Sequence, residues 1–208
     1  MKRLFLLLFL ISILTSCNNS QSKSPEKSAV HELHAESELE LNQSVCDFTD
    51  PDTSVNGIII GEAESTLKIL GQQLDLEGDS NNVFCSSDKR QKLGLKVHAG
   101  DNRNEVSIVS ISYLKDQKEK IKTINFKAFK TEKDIRLGIS KIELIKKLGH
   151  CYLAIDSTKN SIELNYKIEL PKDSKTSFLR RNKMPIYYAN YTFKADKLEN
   201  IEFGFEYP

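Results

Sequence analysis

Tryptophan is absent from this chain. The residue most favoured for stacking and for interface hot spots is therefore missing, although tyrosine and phenylalanine are present at ordinary levels. Charge of one sign is missing too: 30 Lys and Arg face 29 Asp and Glu, and loss of Lys2 and Arg3 with a leader would tip the balance slightly acidic. Nucleic-acid binding depends on concentrated Lys and Arg, so this composition argues against a nucleic-acid partner. No apolar run is long enough for a permanent membrane helix; the longest, Leu4–Leu14, is too short to span a bilayer. Catalytic signatures are lacking as well. There is no G-x-S-x-G elbow, H-E-x-x-H, C-x-x-C or phosphate-cradling loop. The chain reads as a non-enzyme with no cofactor and no metal site.

What is present begins with a leader. Lys2 and Arg3 form a positive n-region and Leu4–Leu14 an apolar h-region, so residues 1–16 read as a signal peptide. Leu14-Thr15-Ser16-Cys17 resembles the bacterial lipobox, in which the chain is cut before the cysteine and the cysteine is acylated. Acyl chains on Cys17 would hold the mature protein on a membrane, each buried CH₂ contributing about 0.8 kcal/mol. Asn18 rather than Asp follows Cys17. In the lipoprotein pattern this implies the outer membrane, with the protein facing the periplasm or the cell surface.

Residues 17–44 read as the lipidated cysteine and a flexible polar and acidic tether, since Asn18–Ser28 offers nothing to build a core. His31 and His34 are spaced to share a helical face, but no Cys or Asp completes a ligand set, so a solvated acidic linker is the expectation. Residues 45–208 then form the folded domain, about 160 residues, enough to bury roughly two-thirds of the unfolded chain's surface.

Leu137–Gly149 carries the clearest local signal. Ser140 and Glu143 complete an S-x-x-E capping box, Ile142, Leu144, Ile145 and Leu148 supply an apolar face, and Gly149 is placed as a left-handed stop. Ile58–Gly71 echoes it through Leu67, Leu70 and Gly71. Extended runs follow each helix. Asn82–Cys85, Leu93–Ala99 and Glu105–Tyr113 come after the first, with Val106, Ile108, Ile111 and Tyr113 as the half-buried set of the last. Ile124–Phe129 leads into the second helix. Beyond it, Ser161–Leu170 alternates through Ile162, Leu164, Tyr166 and Ile168, residues 171–183 read as a loop, and Pro185–Phe193 and Leu198–Tyr207 form a hairpin. The expected fold is α+β: two tandem helix-plus-three-strand units, about 55–115 and 124–208, packed as an antiparallel sheet with the helices on one side.

With Cys17 acylated, three cysteines remain in an oxidising compartment, enough for one bridge and one free thiol. Pairing Cys46 with Cys85 would staple the start of the domain onto the first unit. Cys151 is then a small buried residue or, beside His150, a reactive thiol. Tyr187, Tyr188 and Tyr191 suggest an interaction face together with Arg180 and Arg181 in the preceding loop. Strand alternation puts Tyr187 and Tyr191 on one side and Tyr188 on the other, so one side belongs to the core.

A lipobox, a tether and then Leu137, Gly138, Ser140, Glu143, Leu144, Ile145, Leu148 and Gly149 leading into meander sequence resembles the SmpA/OmlA (BamE-like) and β-lactamase-inhibitor-protein-like group. SmpA-like proteins carry one such unit and commonly a proline soon after the closing Leu-Gly; here there are two, and His150-Cys151 stands there. The resemblance implies a small α+β module that binds an envelope protein without catalysis. Binding a small ligand, or inhibiting an extracytoplasmic enzyme, is the alternative.

Overall fold

The computed structural model describes residues 48–75, 82–98, 104–115, 121–158, 160–170 and 177–206. The leader, the tether with His31 and His34, Cys17 and Cys46 lie outside them. All described residues fall within the unit Gln43–Pro208.

The secondary structure is mostly β. A two-stranded ribbon, β1 (Ser54–Val55) and β2 (Ile58–Ile59), precedes helix α1 (Ala63–Leu70). Then come β3 (Asn82–Cys85), β4 (Gln91–Lys96), β5 (Ile108–Tyr113), β6 (Lys122–Thr123) and helix α2 (Lys141–Leu148). The chain continues through β7 (Leu153–Thr158), β8 (Ser161–Glu169), the one-turn helix α3 (Ser177–Arg181), β9 (Ile186–Lys194) and β10 (Lys197–Glu206). Eight of these strands form one sheet in the order β6-β3-β4-β5-β10-β9-β8-β7.

This corrects the expected α+β arrangement. The sheet is mixed, because β6 runs parallel to β3. The second half contributes four consecutive meander partners, because Leu153–Thr158 forms a strand that alternation did not flag. Of the expected strand Ile124–Phe129 nothing remains; pairing ends at Thr123, and Ile124 and Phe126 turn inward to pack on the core. The two main helices have eight residues each, too short to hold without tertiary packing. The last strands of the two halves, β5 and β10, meet antiparallel in the middle of the sheet.

One face of the sheet is buried. It carries Leu93 and Leu95 from β4, Val109 and Ile111 from β5, and Leu164, Tyr166 and Ile168 from β8. Tyr187, Ala189, Tyr191 and Phe193 of β9 and Leu198, Ile201, Phe203 and Phe205 of β10 complete it. Val55, Ile58, Ile60, Leu74, Phe129, Ile135, Leu144 and Leu179 join the same core cluster from the ribbon, the loops and the helices. Leu198 and Ile201 both reach inward despite their odd spacing because the register shifts between Leu198 and Asn200, a bulge that inserts one residue. In β5 the inward set is Val109 and Ile111; Ile108, expected inside, turns to the other face.

Helix α2 keeps its capping box: the Glu143 N–H donates to Ser140 Oγ at 3.3 Å and the Ser140 N–H to Glu143 Oε2 at 2.8 Å. Its buried residues are Leu144 and Leu148, four apart, while Ile142 is 62 % exposed and so lies off the expected apolar face. Gly149 has a positive φ but an extended ψ, and its N–H closes the helix on Ile145 O at 2.7 Å. The Gly149 carbonyl accepts from Tyr166 Oη at 2.8 Å, which fastens the end of α2 to β8.

Candidate functional site

The second face of the sheet carries half-buried and exposed polar side chains, and the register sets them in rows across the strands. Asn165 on β8 lies opposite Asn190 on β9, Asn190 opposite Glu202 on β10, Glu202 opposite Ser110 on β5, and Ser110 opposite Gly94 on β4. The neighbouring row runs Lys167, Tyr188, Gly204, Ile108, Lys96. Neighbours in a row sit about 4.8 Å apart, the strand spacing. Where the two rows run side by side, a recess of about 520 Å³ opens, lined among others by Asn165, Lys167, Tyr188, Asn190, Glu202 and Glu206.

Hydrogen bonds organise this surface. Tyr188 Oη donates to Glu202 Oε1 at 3.0 Å, Asn165 Nδ2 to Asn190 Oδ1 at 2.5 Å, and Thr192 Oγ1 to Glu163 Oε2 at 3.3 Å. Lys167 Nζ sits 2.6 Å from Glu169 and 3.6 Å from Glu206. The hydrogen bond to Glu169 raises the Lys167 pKa and keeps it charged. Partial burial, then the Glu202 carboxylate, pushes the Tyr188 phenol well up, so it stays a donor. Gly204, directly across from Tyr188, cannot take a side chain: an added Cβ would stand 2.3 Å from the Ser107 carbonyl oxygen.

The sheet's two ends differ. At one end β6 has two residues, with Lys122 exposed, and β3 on its inner side. At the other, β7 is six residues long with β8 on its inner side and, among the described residues, no strand beyond it. Leu153 and Ile155 of β7 are 45 % and 44 % exposed, and Ala154 between them is exposed too. Leu153 stands in the row of Asn165, and Ile155 opposite Glu163.

A second recess, of about 780 Å³, lies between the ribbon, the loop at 132–133 and α3. Its charged groups are largely engaged: Lys133 Nζ is 2.5 Å from Asp50, and Glu132 accepts from the Thr53 N–H and hydroxyl at 2.6 and 2.9 Å. Asp52, between two of its lining residues in sequence, is fully buried. Its Oδ1 accepts the Lys133 N–H at 3.2 Å, its Oδ2 lies 3.5 Å from Tyr191 Oη, and Thr131 adds a side-chain hydrogen bond. Burial dominates, and the Asp52 pKa is pushed up to about 6.

The residues singled out from sequence fare unevenly. Tyr187 and Tyr191 are completely buried and belong to the core, so they cannot form a contact surface; their side of β9 is the covered one. Tyr188 reaches the open face. Arg180 and Arg181 are exposed, on helix α3 rather than in a loop, and Arg181 lines the second recess, away from Tyr188. Cys85 is a free, buried thiol, its Sγ 3.3 Å from Thr123 Oγ1, so the expected bridge from Cys46 to Cys85 is not made. Cys151 is disulfide-bonded instead, which removes the thiol that a reactive pair with His150 would need. Asn165, Asn190 and Glu202 escaped the sequence reading. Each is a polar position in a strand of plain alternation, and only the cross-strand register reveals that they adjoin.

The chain matches no family model, no curated protein and no solved structure. The resemblance to the SmpA-like group therefore rests on the lipobox, the tether, Leu137–Gly149 and the meander sequence after it alone.

Proposed function

We propose that this chain is a non-catalytic lipoprotein of the bacterial envelope, held at the outer membrane through Cys17 and facing the periplasm or the cell surface. It binds another envelope protein by adding an extended segment of that partner to the sheet at β7. The observation that carries this reading is the apolar outer edge made by Leu153, Ala154 and Ile155. Exposed edge strands are templates for further pairing, and proteins that do not use them shorten or charge them. The β6 end of this sheet is two residues long and carries an exposed lysine; β7 is six residues long, and its one charged residue, Asp156, and its register shift follow the apolar run 153–155. In strand addition the main chain supplies affinity and alternate side chains supply specificity, so the segment received would place apolar residues beside Leu153 and Ile155.

The test is crosslinking in living cells from a photoreactive side chain at position 154. One dominant envelope partner is expected. It should be lost in Ile155→Pro, which removes a main-chain N–H of β7 and fixes the local backbone, and in the mislocalised Cys17→Ala control. The absence of any dominant partner, or a partner indifferent to Ile155→Pro, defeats the proposal.

A further inference from the structure

The recess on the open face lies beside the β7 edge but has a different chemistry, and it does not depend on strand addition. We propose that it binds a neutral, β-linked oligosaccharide laid across β8, β9, β10 and β5, with one sugar ring against Tyr188.

The recess is net acidic, with Lys167 its one cation against the carboxylates of Glu202 and Glu206. Lys167 is held by Glu169 and Glu206, and Glu202 accepts the Tyr188 hydroxyl. An anionic ligand would meet the carboxylates of Glu202 and Glu206 with Lys167 already engaged. The further hydrogen-bonding groups are the uncharged amides of Asn165 and Asn190. Asn165 and Asn190 are joined by one hydrogen bond from Asn165 Nδ2 to Asn190 Oδ1. That bond uses one of the two N–H donors of Asn165, and the amide group of Asn190 and the carbonyl of Asn165 have further capacity on the same row. A carboxamide donates and accepts from one planar group, which suits the paired hydroxyls and acetamido groups of a sugar. Ser110, two strands away, adds a hydroxyl of the same dual kind.

Tyr188 supplies the other half of sugar recognition, an amphipathic ring that can lie against the C–H face of a pyranose. Its hydroxyl is anchored on Glu202, and Gly204 across from it adds no side chain on β10. Ile108, next along that row, continues the floor with an apolar side chain. Sites for small metabolites are mostly apolar and enclose their ligand. This one is polar and open, its lining comes from four strands, and groups in a row repeat at the strand spacing of about 4.8 Å, close to the advance of one sugar unit in an extended chain.

The experiment titrates the purified mature protein in detergent with chitotetraose and with cellotetraose, read by calorimetry and by amide chemical shifts. At least one should bind saturably, with shifts centred on Asn165, Tyr188, Asn190 and Glu202. Tyr188→Ala should weaken binding by about tenfold or more, while Tyr188→Phe, which keeps the ring, should retain most of it. Asn190→Ala should also weaken it, and Arg181→Ala, in the other recess, should leave it unchanged. Thermal melts of each variant show whether it is folded. Failure of both oligosaccharides to bind overturns the proposal, as does binding that survives in folded Tyr188→Ala and Asn190→Ala.

Discussion

The Tyr187 hydroxyl donates a 2.6 Å hydrogen bond to the main-chain carbonyl of Asp52, 135 residues earlier in the chain, and both residues are fully buried. This bond fixes the segment that enters the β1–β2 ribbon onto strand β9 in the second half of the sheet. Four residues on, Tyr191 approaches the carboxylate of the same Asp52. Two tyrosines that read from sequence as a contact surface thus serve as internal struts.

Tyr187→Phe keeps the ring and removes only the donor, leaving the Asp52 carbonyl unsatisfied where water does not reach. The expected loss is about 1–2 kcal/mol of unfolding free energy. Tyr188→Phe breaks a bond at the half-exposed open face and should cost less. Urea denaturation of the two variants under the same conditions measures the difference. A Tyr187→Phe loss no larger than that of Tyr188→Phe would refute the strut.

Asp52 gives stability an unusual slope with pH. Its folded pKa is raised to about 6 from the ordinary 3.8. Between those values the folded protein holds a proton that the unfolded chain has released, so folding is favoured as pH falls. The gain begins near pH 7 and is complete near pH 4, and one pKa unit corresponds to about 1.4 kcal/mol, which bounds it at about 3 kcal/mol. Asp88, Asp134 and Glu143 have lowered pKa values and oppose this only at the acid end of the window. The urea midpoint should therefore be higher at pH 5 than at pH 7, and Asp52→Asn should flatten that slope. A midpoint that falls over the same interval in the parent protein would contradict the assignment.

Local chemistry was legible in the sequence and distant pairing was not. The capping box of α2 is spelled out by Ser140 and Glu143 three residues apart, and the hairpin of β9 and β10 by alternating runs around Lys194–Lys197. The open polar face follows from the same alternation, but the juxtaposition of Asn165, Asn190 and Glu202 needs the register of three strands. Strand β7 was missed because its apolar residues are on the surface, so it lacks the in-out contrast that marks a half-buried strand. The parallel contact of β6 with β3 joins residues nearly forty positions apart through two pairs only, and no periodicity announces it. Nothing in Pro51-Asp52-Thr53-Ser54 marks Asp52 as buried; the Lys133 amide and the Tyr191 hydroxyl that approach it are 81 and 139 residues away. The two short helices were visible, yet the weight of β structure was underestimated, because eight-residue helices leave larger marks in a sequence than two-residue strands do.

The cysteines make the last prediction. Cys85 is a buried thiol beside Thr123, and Cys151 is disulfide-bonded, so its partner is one of the two other cysteines in the chain, Cys17 and Cys46. If acylation occupies Cys17, the bridge must run from Cys46 to Cys151. It then closes a loop of about 100 residues, for which the chain-entropy relation gives about 4.7 kcal/mol. The mature, oxidised protein should show no thiol reactive to a bulky aromatic disulfide when folded and one, Cys85, when denatured. A peptide map without reductant should recover the Cys151 peptide joined to that of Cys46. Cys151→Ser should cost about 2–5 kcal/mol of stability, the usual range for loss of a native bridge. Cys85→Ala should cost less, because it removes one sulfur from a packed site and severs no crosslink. Recovery of Cys85 within a bridged peptide would overturn this pairing and restore the link between the start of the domain and β3.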